Sequence, residues 1–214
     1  QSVNLIYSDS TKGWIPLEDD VVAEEPVAPA IQRGIFAFGY TGSYTNISNL
    51  VGSNGVIGSD VTGVGTARGF MAAATYGGDK AIFGFGTTGS LTGVTNLVNS
   101  SGVVASDTSA VGTAKADLSA TGYGDDLAIF AFGNTGSMSN SRNLVNNSGV
   151  VASDATGAGT ATQRKGAARY GTGTAIFAFG ENGGKTNTKN LVSNTGVIAS
   201  DATGGGTALT SHMA

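Results

Sequence analysis

A unit of 47 residues occurs four times along this chain of 214 residues, and this period constrains the fold more than any other feature. The pattern Ile-Phe-Ala/Gly-Phe-Gly starts at four positions that are 47 residues apart, Ile35, Ile82, Ile129 and Ile176. Asn-Leu-Val and Ser-Asp recur at the same spacing. A period of about 20 to 50 residues is typical of proteins built from stacked structural repeats. Each recurring residue is therefore expected to serve the architecture before it serves any chemistry.

The composition of each unit predicts short strands joined by tight turns. Glycine accounts for 35 residues and proline for 3, all three prolines lying before the repeats. Runs of Val, Ile, Thr and Phe separated by glycine-bearing turns are typical of strands, whereas no helical periodicity occurs. In the second unit the predicted strands are 81–85, 96–98, 103–106 and 113–121, with a loop at 107–112.

These patterns predict an all-β fold with four tandem four-stranded repeats over residues 32–214, starting near 35, 82, 129 and 176. A four-stranded unit in tandem is typical of a β-propeller blade, so we expect a small four-bladed ring. In that ring, residues 207–214 would pair beside the strand of Ile35 and remove the exposed edges. The alternative is an intertwined β fibre in which the units of several chains stack along an axis.

Residues 1–31 differ from the repeats and are predicted to form an extended docking arm. Residues 3–7 are a strand candidate, and an acidic segment with Pro26 and Pro29 reads as a stiff linker. The arm contains Trp14, the only tryptophan of the chain. We expect Tyr7 and Trp14 to anchor the arm on another surface through apolar burial and strand addition.

Composition excludes several classes of partner. The net charge is −4 and no basic stripe is present, which argues against nucleic-acid binding. No apolar run approaches about 18 residues, so membrane insertion is not expected. Charged residues make up only 12% of the chain, which leaves Ser, Thr, Asn and Gly to cover the surface. Such a surface suits a secreted or particle-assembled protein.

The acidic residues and glycines that recur in the repeats are expected to be structural. A calcium site needs about six to eight oxygen ligands, but each repeat supplies one aspartate, so these residues are predicted to stabilise turns rather than bind metal. They are Asp60, Asp107, Asp154 and Asp201. The glycine runs 63–65 and 204–206 lack the helix and the Lys-Ser/Thr pair of a phosphate loop, so we expect turns and no cofactor.

The sequence predicts no enzyme active site. His212 is the only histidine, and its neighbour Ser211 would point to the opposite face of a strand, so no catalytic triad is expected. The acidic pair Asp125 and Asp126 replaces turn residues of the sister units and is predicted to be a turn.

The turns after each Phe-Gly pair differ between units, and they are the predicted receptor-contact positions. A rigid scaffold usually places binding residues on such turns, although neutral variation of exposed turns is the alternative. The candidates are Tyr40, Tyr44, Leu91, Met138, Arg142, Lys185 and Lys189.

The repeat resembles known propeller families. Kelch repeats have a basic residue, a small-residue strand, an aliphatic-aromatic strand that ends in glycines, and a later aspartate. Arg68, the strand to Tyr76, residues 82–86 and Asp107 follow that order, although the kelch double glycine is a single glycine here and the kelch tryptophan is absent. The repeats of the regulator-of-chromosome-condensation family are similar too. Both resemblances imply a propeller blade.

The repeats also resemble those of bacteriophage tail fibres and other virion structural proteins. The phrases that carry this resemblance are Asn-Leu-Val-x-x-x-Gly-Val-Val-Ala-Ser-Asp in the repeats and residues 4–15 in the arm. The resemblance implies a tail-fibre, appendage or decoration protein on the virion surface, present as a homo-oligomer or in many copies. Its arm would dock on other virion proteins, and its repeats would bind a host-surface glycan or protein.

Three further hypotheses stay open at this point. A lectin-type propeller would have one sugar pocket per blade, with the Tyr76, Tyr123 and Tyr170 series available for stacking. A hydrolase of cell-surface polymer would need a facing pair of carboxylates, for which Asp125 and Asp126 are the pair available. A plain scaffold without a ligand would leave the variation between units unexplained.

Overall fold

The computed structural model describes residues 5–11, 13–16, 34–109 and 111–210. The chain separates into two compact units, residues 1–32 and 33–214. All regular structure in the described residues is β, and this part of the chain contains no helix that could cross a bilayer. The predicted all-β class is therefore confirmed.

The first unit contains a two-stranded antiparallel hairpin. Strand β1 covers Leu5–Asp9 and strand β2 covers Gly13–Pro16, so that Tyr7 and Trp14 are register partners. The strand predicted at residues 3–7 therefore extends to Asp9, and residues 13–16 form a strand of their own. The side chain of Tyr7 is exposed. The predicted linker after Pro16 lies outside the described residues.

The second unit consists of four antiparallel sheets, one for each repeat. Sheet 1 contains β3 and β4, sheet 2 contains β5 to β7, sheet 3 contains β8 to β11, and sheet 4 contains β12 to β15. The strands are β3 Gly34–Tyr40, β4 Tyr44–Val51, β5 Ala72–Tyr76, β6 Lys80–Gly84, β7 Thr95–Val98, β8 Ser119–Tyr123, β9 Leu127–Ala131, β10 Ser141–Val145, β11 Ala155–Thr156, β12 Gly166–Tyr170, β13 Thr174–Ala178, β14 Thr188–Val192 and β15 Ala202–Thr203.

Each complete sheet is a meander that borrows its first strand from the preceding sequence unit. The strand predicted at 113–121 to close the second unit overlaps β8, which instead opens sheet 3 by pairing with β9. The short outer strands β11 and β15 lie where the pattern predicts a loop. The strand predicted at 103–106 is reduced to a bridge between Val98 and Val104. Residues 25–29, which occupy the repeat positions of β5, lie outside the described residues.

Successive sheets pack face to face, and the hydrophobic core lies between them. In the central strands, alternate side chains point to opposite faces, as a pleated strand requires. Ile82 thus packs toward sheet 3, and Phe83 packs toward sheet 1. Because both faces of sheets 2 and 3 are covered, both residues of the Ile-Phe pair are buried there.

The two end sheets each have one face without a neighbouring sheet in the described residues. Phe36 of sheet 1 is 63% exposed, whereas its equivalents Phe83, Phe130 and Phe177 are buried. The closing pairing predicted for residues 207–214 is not formed by Leu209, which pairs with Thr186 of its own sheet. A closed four-bladed ring is therefore not confirmed.

Truncating Phe130 to alanine is expected to lower the free energy of unfolding by about 3–5 kcal/mol, because the ring is fully buried between sheets 2 and 3. Phe36→Ala is the matched control at the same repeat position, and it should change stability by no more than about 0.5 kcal/mol. Urea unfolding of dilute protein measures both values. Equal losses in the two variants would contradict this account of the core.

Candidate functional site

Each sheet projects one phenylalanine toward the next sheet from a strained backbone position. Phe38, Phe85 and Phe132 have φ values of 64°, 64° and 62°, in the left-handed region that side chains other than glycine rarely adopt. Each ring meets a phenylalanine of the following sheet edge-on, with centroids 5.5, 5.3 and 5.4 Å apart. The fourth equivalent, Phe179 of sheet 4, has the same φ of 64°, so the left-handed conformation belongs to the repeat itself and is not confined to the junctions.

A buried cation lies over each of these rings. Arg68 Cζ is 4.3 Å from the ring centroid of Phe38, and Lys115 Nζ is 4.8 Å from that of Phe85. Arg68 Nε also donates to the carbonyl of Phe85, while Lys115 Nζ donates to Asn143 Oδ1 at 2.7 Å. Burial lowers the pKa of Arg68 to about 10 and that of Lys115 to about 8, against the opposing charges of nearby aspartates.

The third junction obtains its cation from a different sequence position. Thr162 replaces the Arg68 and Lys115 of the other repeats, and Lys165, three residues later, lies with Nζ 4.9 Å from the ring centroid of Phe132. Lys165 Nζ donates to the carbonyl oxygen of Phe179. Burial lowers the pKa of Lys165 to about 8. The interaction is thus retained although its position in the repeat is not.

The recurring aspartates join one sheet to the next. Asp107 accepts hydrogen bonds from the N–H and Oγ1 of Thr66, which lies 41 residues earlier, and from Asn96 Nδ2 of its own sheet. The same arrangement links Thr113 to Asp154 and Thr160 to Asp201. The aspartates were expected to stabilise their own turns, but these bonds reach across the junctions between sheets.

Glycine is required beside each of these carboxylates. A Cβ on Gly65 would lie 2.5 Å from Asn96 Nδ2 and 2.7 Å from Asp107 Oδ1. Gly65, Gly112 and Gly159 thus leave room for the asparagine and aspartate of the next sheet, whereas Gly63 and Gly204 lie against carbonyls of their own sheets. Within the described residues no group of three or more acidic, histidine or cysteine side chains is arranged to hold a metal ion.

The candidate functional surface is the turn edge, defined as the turns 40–44, 87–91, 134–138 and 181–185 together with Phe70, Asp117 and Arg164. These last three residues are 47 apart and have φ values of 53°, 51° and 57°. The N–H of Asp117 donates to the carbonyl of Phe70, and that of Arg164 donates to the carbonyl of Asp117. A backbone ladder therefore crosses three repeats beside the turns. Strained positions of this kind are concentrated at functional sites.

The turn edge is aromatic at its first repeat. Tyr40 is 62% exposed, and its ring meets Tyr44 edge-on at 5.3 Å. Tyr44 lies against Gly69, where an added Cβ would be 3.2 Å from its ring. The next residue, Phe70, is 56% exposed. These three rings form a surface suited to stacking against a planar or apolar face of a ligand.

The turn edge is charged at its last repeat. Arg164 lies 3.3 Å from Asp117 and 3.1 Å from Glu181, measured between nitrogen and oxygen. Hydrogen bonding to Asp117 raises the pKa of Arg164, so this guanidinium stays charged. The backbone of Lys185 forms a β-bridge with that of Glu181 across the turn, and Lys185 is exposed. Equivalent positions in equivalent sheets therefore present different chemistry.

The remaining predicted contact residues are placed less uniformly. Leu91 is exposed in its turn, and Met138 is half-buried. Arg142 and Lys189 lie within strands β10 and β14 rather than in turns, and Arg142 Nη1 donates to the carbonyl of Thr156. His212 lies outside the described residues.

Sequence reasoning missed Phe70, Asp117 and Arg164. A left-handed conformation at residues other than glycine has no compositional signal. The signal that was available is that these positions share the 47-residue spacing and yet carry an aromatic, an acidic and a basic residue. Variation at a fixed repeat position identified the turns, and the same criterion would have selected these three residues, although not the backbone hydrogen bonds between them.

The tyrosine series expected to line sugar pockets is mostly inaccessible. Tyr76 and Tyr123 are each 3% exposed and lie in the core between sheets. Only Tyr170 of this series, in the last sheet, has an exposed ring. Asp125 and Asp126 lie in the tight turn between β8 and β9, where the turn prediction places them.

Comparisons with known proteins assign no family. No protein-family model matches the chain, and no curated protein matches it at a significant level.

Replacing Asp154 with asparagine is expected to lower the free energy of unfolding near neutral pH by roughly 1–3 kcal/mol, because the Thr113 N–H loses its charged acceptor. Burial raises the pKa of Asp154, but hydrogen bonds from Thr113 and Asn143 and the charge of Lys115 outweigh it and bring the pKa below 3.8. The stabilisation is therefore complete above pH 3.8 and is lost as the pH falls through the lower folded-state pKa.

Urea unfolding at about pH 7 and about pH 3 measures this loss. Asp60→Asn is the control, because Asp60 takes its hydrogen bond from Asn49 of its own sheet. Equal losses of unfolding free energy in the two variants near neutral pH would contradict the assigned role of Asp154. The role would also be contradicted if the stability of Asp154→Asn fell as much as that of the parent between about pH 7 and about pH 3.

Proposed function

We propose that this chain is a non-enzymatic structural protein of a bacteriophage virion, a tail fibre, appendage or decoration protein, that presents its turn edge for attachment to the host surface. The observation that carries the proposal is the contrast between a frame repeated in four sheets and a turn edge that differs in each. A rigid frame with variable exposed turns is a common arrangement for binding surfaces.

The composition and the arm support a place on a particle exposed to the medium. Only 12% of the residues are charged, and three of the cations are buried at junctions, so the outer surface is largely Ser, Thr, Asn and Gly. The β1–β2 hairpin supplies a separate unit for docking on other virion proteins, with Tyr7 and Trp14 as register partners. Many copies per particle would then increase the overall affinity for the host through avidity, even if each single contact is weak.

For the finer architecture we favour an open propeller-like array over a closed four-bladed ring. The hydrogen bonds between threonine and aspartate that link sheets 1 to 2, 2 to 3 and 3 to 4 have no counterpart between sheets 4 and 1 in the described residues. An interchain fibre is compatible with the same open ends.

The aromatic end of the turn edge favours a glycan as the alternative ligand to a host protein. Tyr40, Tyr44 and Phe70 present ring surface against which a sugar ring can stack. This location replaces the buried Tyr76 series as the candidate sugar contact. A glycan array probed with the full chain tests it, and no binding across a broad bacterial glycan set would exclude the lectin function.

Removing Tyr40 and Tyr44 together, as a serine double variant, is expected to reduce binding of the fluorescently labelled chain to host cells at least about 10-fold. Loss of about 1.4 kcal/mol of stacking is enough for that factor. Flow cytometry measures the binding. Lys185→Ser at the opposite end of the turn edge is the matched control, and the same loss in both variants would point to a non-specific effect.

Deleting residues 1–31 is expected to abolish incorporation into virus particles while leaving cell binding by the free repeats unchanged. Quantitative immunoblotting of purified particles measures the first, and flow cytometry measures the second. Normal incorporation of the truncated protein would show that the arm is not the anchor. Absence of the full-length protein from particles would overturn the virion assignment itself.

A further inference from the structure

The three junctions between sheets repeat the same three contacts. A leucine of one sheet packs on a turn glycine of the next, a threonine bonds to the aspartate of the next, and a phenylalanine meets a phenylalanine of the next. The leucine contact is tight, since a Cβ added to Gly102, Gly149 or Gly196 would lie 2.2, 2.8 and 2.8 Å from the leucine of the preceding sheet. These leucines are Leu50, Leu97 and Leu144.

On sheet 4, the residues that would contact a following sheet at such a junction are exposed to solvent. This trailing face is defined by Tyr170, Leu191 and Thr207. Tyr170 is 45% exposed, whereas Tyr76 and Tyr123 are buried against the turn of the following sheet. Leu191 is 41% exposed at the position equivalent to Leu50, Leu97 and Leu144. Thr207 is exposed at the position of the threonines that donate to aspartate.

On sheet 1, the residues that would contact a preceding sheet at such a junction are exposed to solvent. This leading face is defined by Phe36, Gly55 and Asp60. Phe36 is exposed although its three equivalents each pack on a phenylalanine of the sheet before. A Cβ on Gly55 would meet nothing within 4 Å, in contrast to the equivalent glycines. Asp60 accepts from Asn49, and no threonine among the described residues donates to it.

We propose that the trailing face of one copy of this chain binds the leading face of a second copy. The apolar side chains and the threonine of the trailing face have counterparts in the turn glycine and the aspartate of the leading face. Leu191 and Tyr170 would cover the turn at Gly55, and Thr207 would donate to Asp60. Phe36 would be covered by sheet 4 of the other copy, as Phe83, Phe130 and Phe177 are covered by the preceding sheet. The interface continues, between chains, the packing already present within one.

The proposed contact is heterologous, because the two faces differ. A heterologous contact that repeats builds a filament, or a ring if the rotation closes. Leu209 occupies the position of Arg68 and Lys115, so the cation of the first two internal junctions is replaced by an apolar side chain. The equivalent of Lys165 is His212, which lies outside the described residues. We expect reversible association because the contact lacks the arginine or lysine of the first two junctions. This inference goes beyond the proposed function, because host attachment through the turn edge does not require it.

Sedimentation velocity of the full chain tests the proposal. The mass is expected to rise above the 21.1 kDa of one chain as the concentration approaches a dissociation constant of about 1 mM, where association is about half complete. Phe36→Arg and Leu191→Arg should each weaken association at least about 100-fold by placing an unpaired charge in the contact. Circular dichroism checks that both exposed-site variants remain folded.

Mixing the two variants gives the decisive result. Phe36→Arg retains its trailing face and Leu191→Arg its leading face, so a 1:1 mixture should form a dimer of twice the chain mass although each variant alone stays monomeric. Val150→Arg is the control, because Val150 and its equivalents Val56, Val103 and Val197 are exposed in every repeat. A parent chain that stays monomeric, a mixture that stays monomeric, or an equal loss in Val150→Arg would overturn the proposal.

Discussion

At each junction between successive sheets, a phenylalanine of one sheet packs edge-on against a phenylalanine of the next. A buried cation lies over the first of these two rings. Placing such a residue in the left-handed region costs about 1–2 kcal/mol, and burial of a phenylalanine side chain contributes about 1.5–3 kcal/mol. Packing against the neighbouring sheet helps to offset this cost at Phe38, Phe85 and Phe132. A single sheet has two apolar faces and cannot cover both, so its stability depends on its neighbours.

Burial of Arg68, Lys115 and Lys165 shows how specific these junctions are. Removing a cation from water is costly, which is why the pKa values of the two lysines fall to about 8. Each cation is compensated by carbonyl or side-chain oxygens, an aromatic face and a nearby aspartate. At the third junction the lysine comes from another position of the repeat. The fold therefore requires a cation over the phenylalanine ring and not a basic residue at one fixed repeat position.

The repeated architecture of the four sheets explains which part of the candidate site was predictable from the sequence. Turn residues such as Tyr40, Leu91 and Lys185 were found because they vary while the surrounding repeat does not. Arg142 and Lys189 vary too, but they lie in strands, since a repeat pattern gives the ends of a strand only approximately. The Phe70 ladder was not predicted, because its hydrogen bonds join residues 47 apart that share no residue type.

By itself, the sequence determined the all-β class, the number of repeats and the positions of the central strands, because period and residue alternation are local properties of the chain. Only the tertiary structure decided that a strand such as β8 opens the next sheet. It likewise decided that Asp107 accepts hydrogen bonds from Thr66 of the preceding sheet. It also decided that, among the described residues, no sheet covers the outer faces of sheets 1 and 4. These outcomes depend on contacts between residues far apart in the chain, and they are set by which surfaces can be buried together.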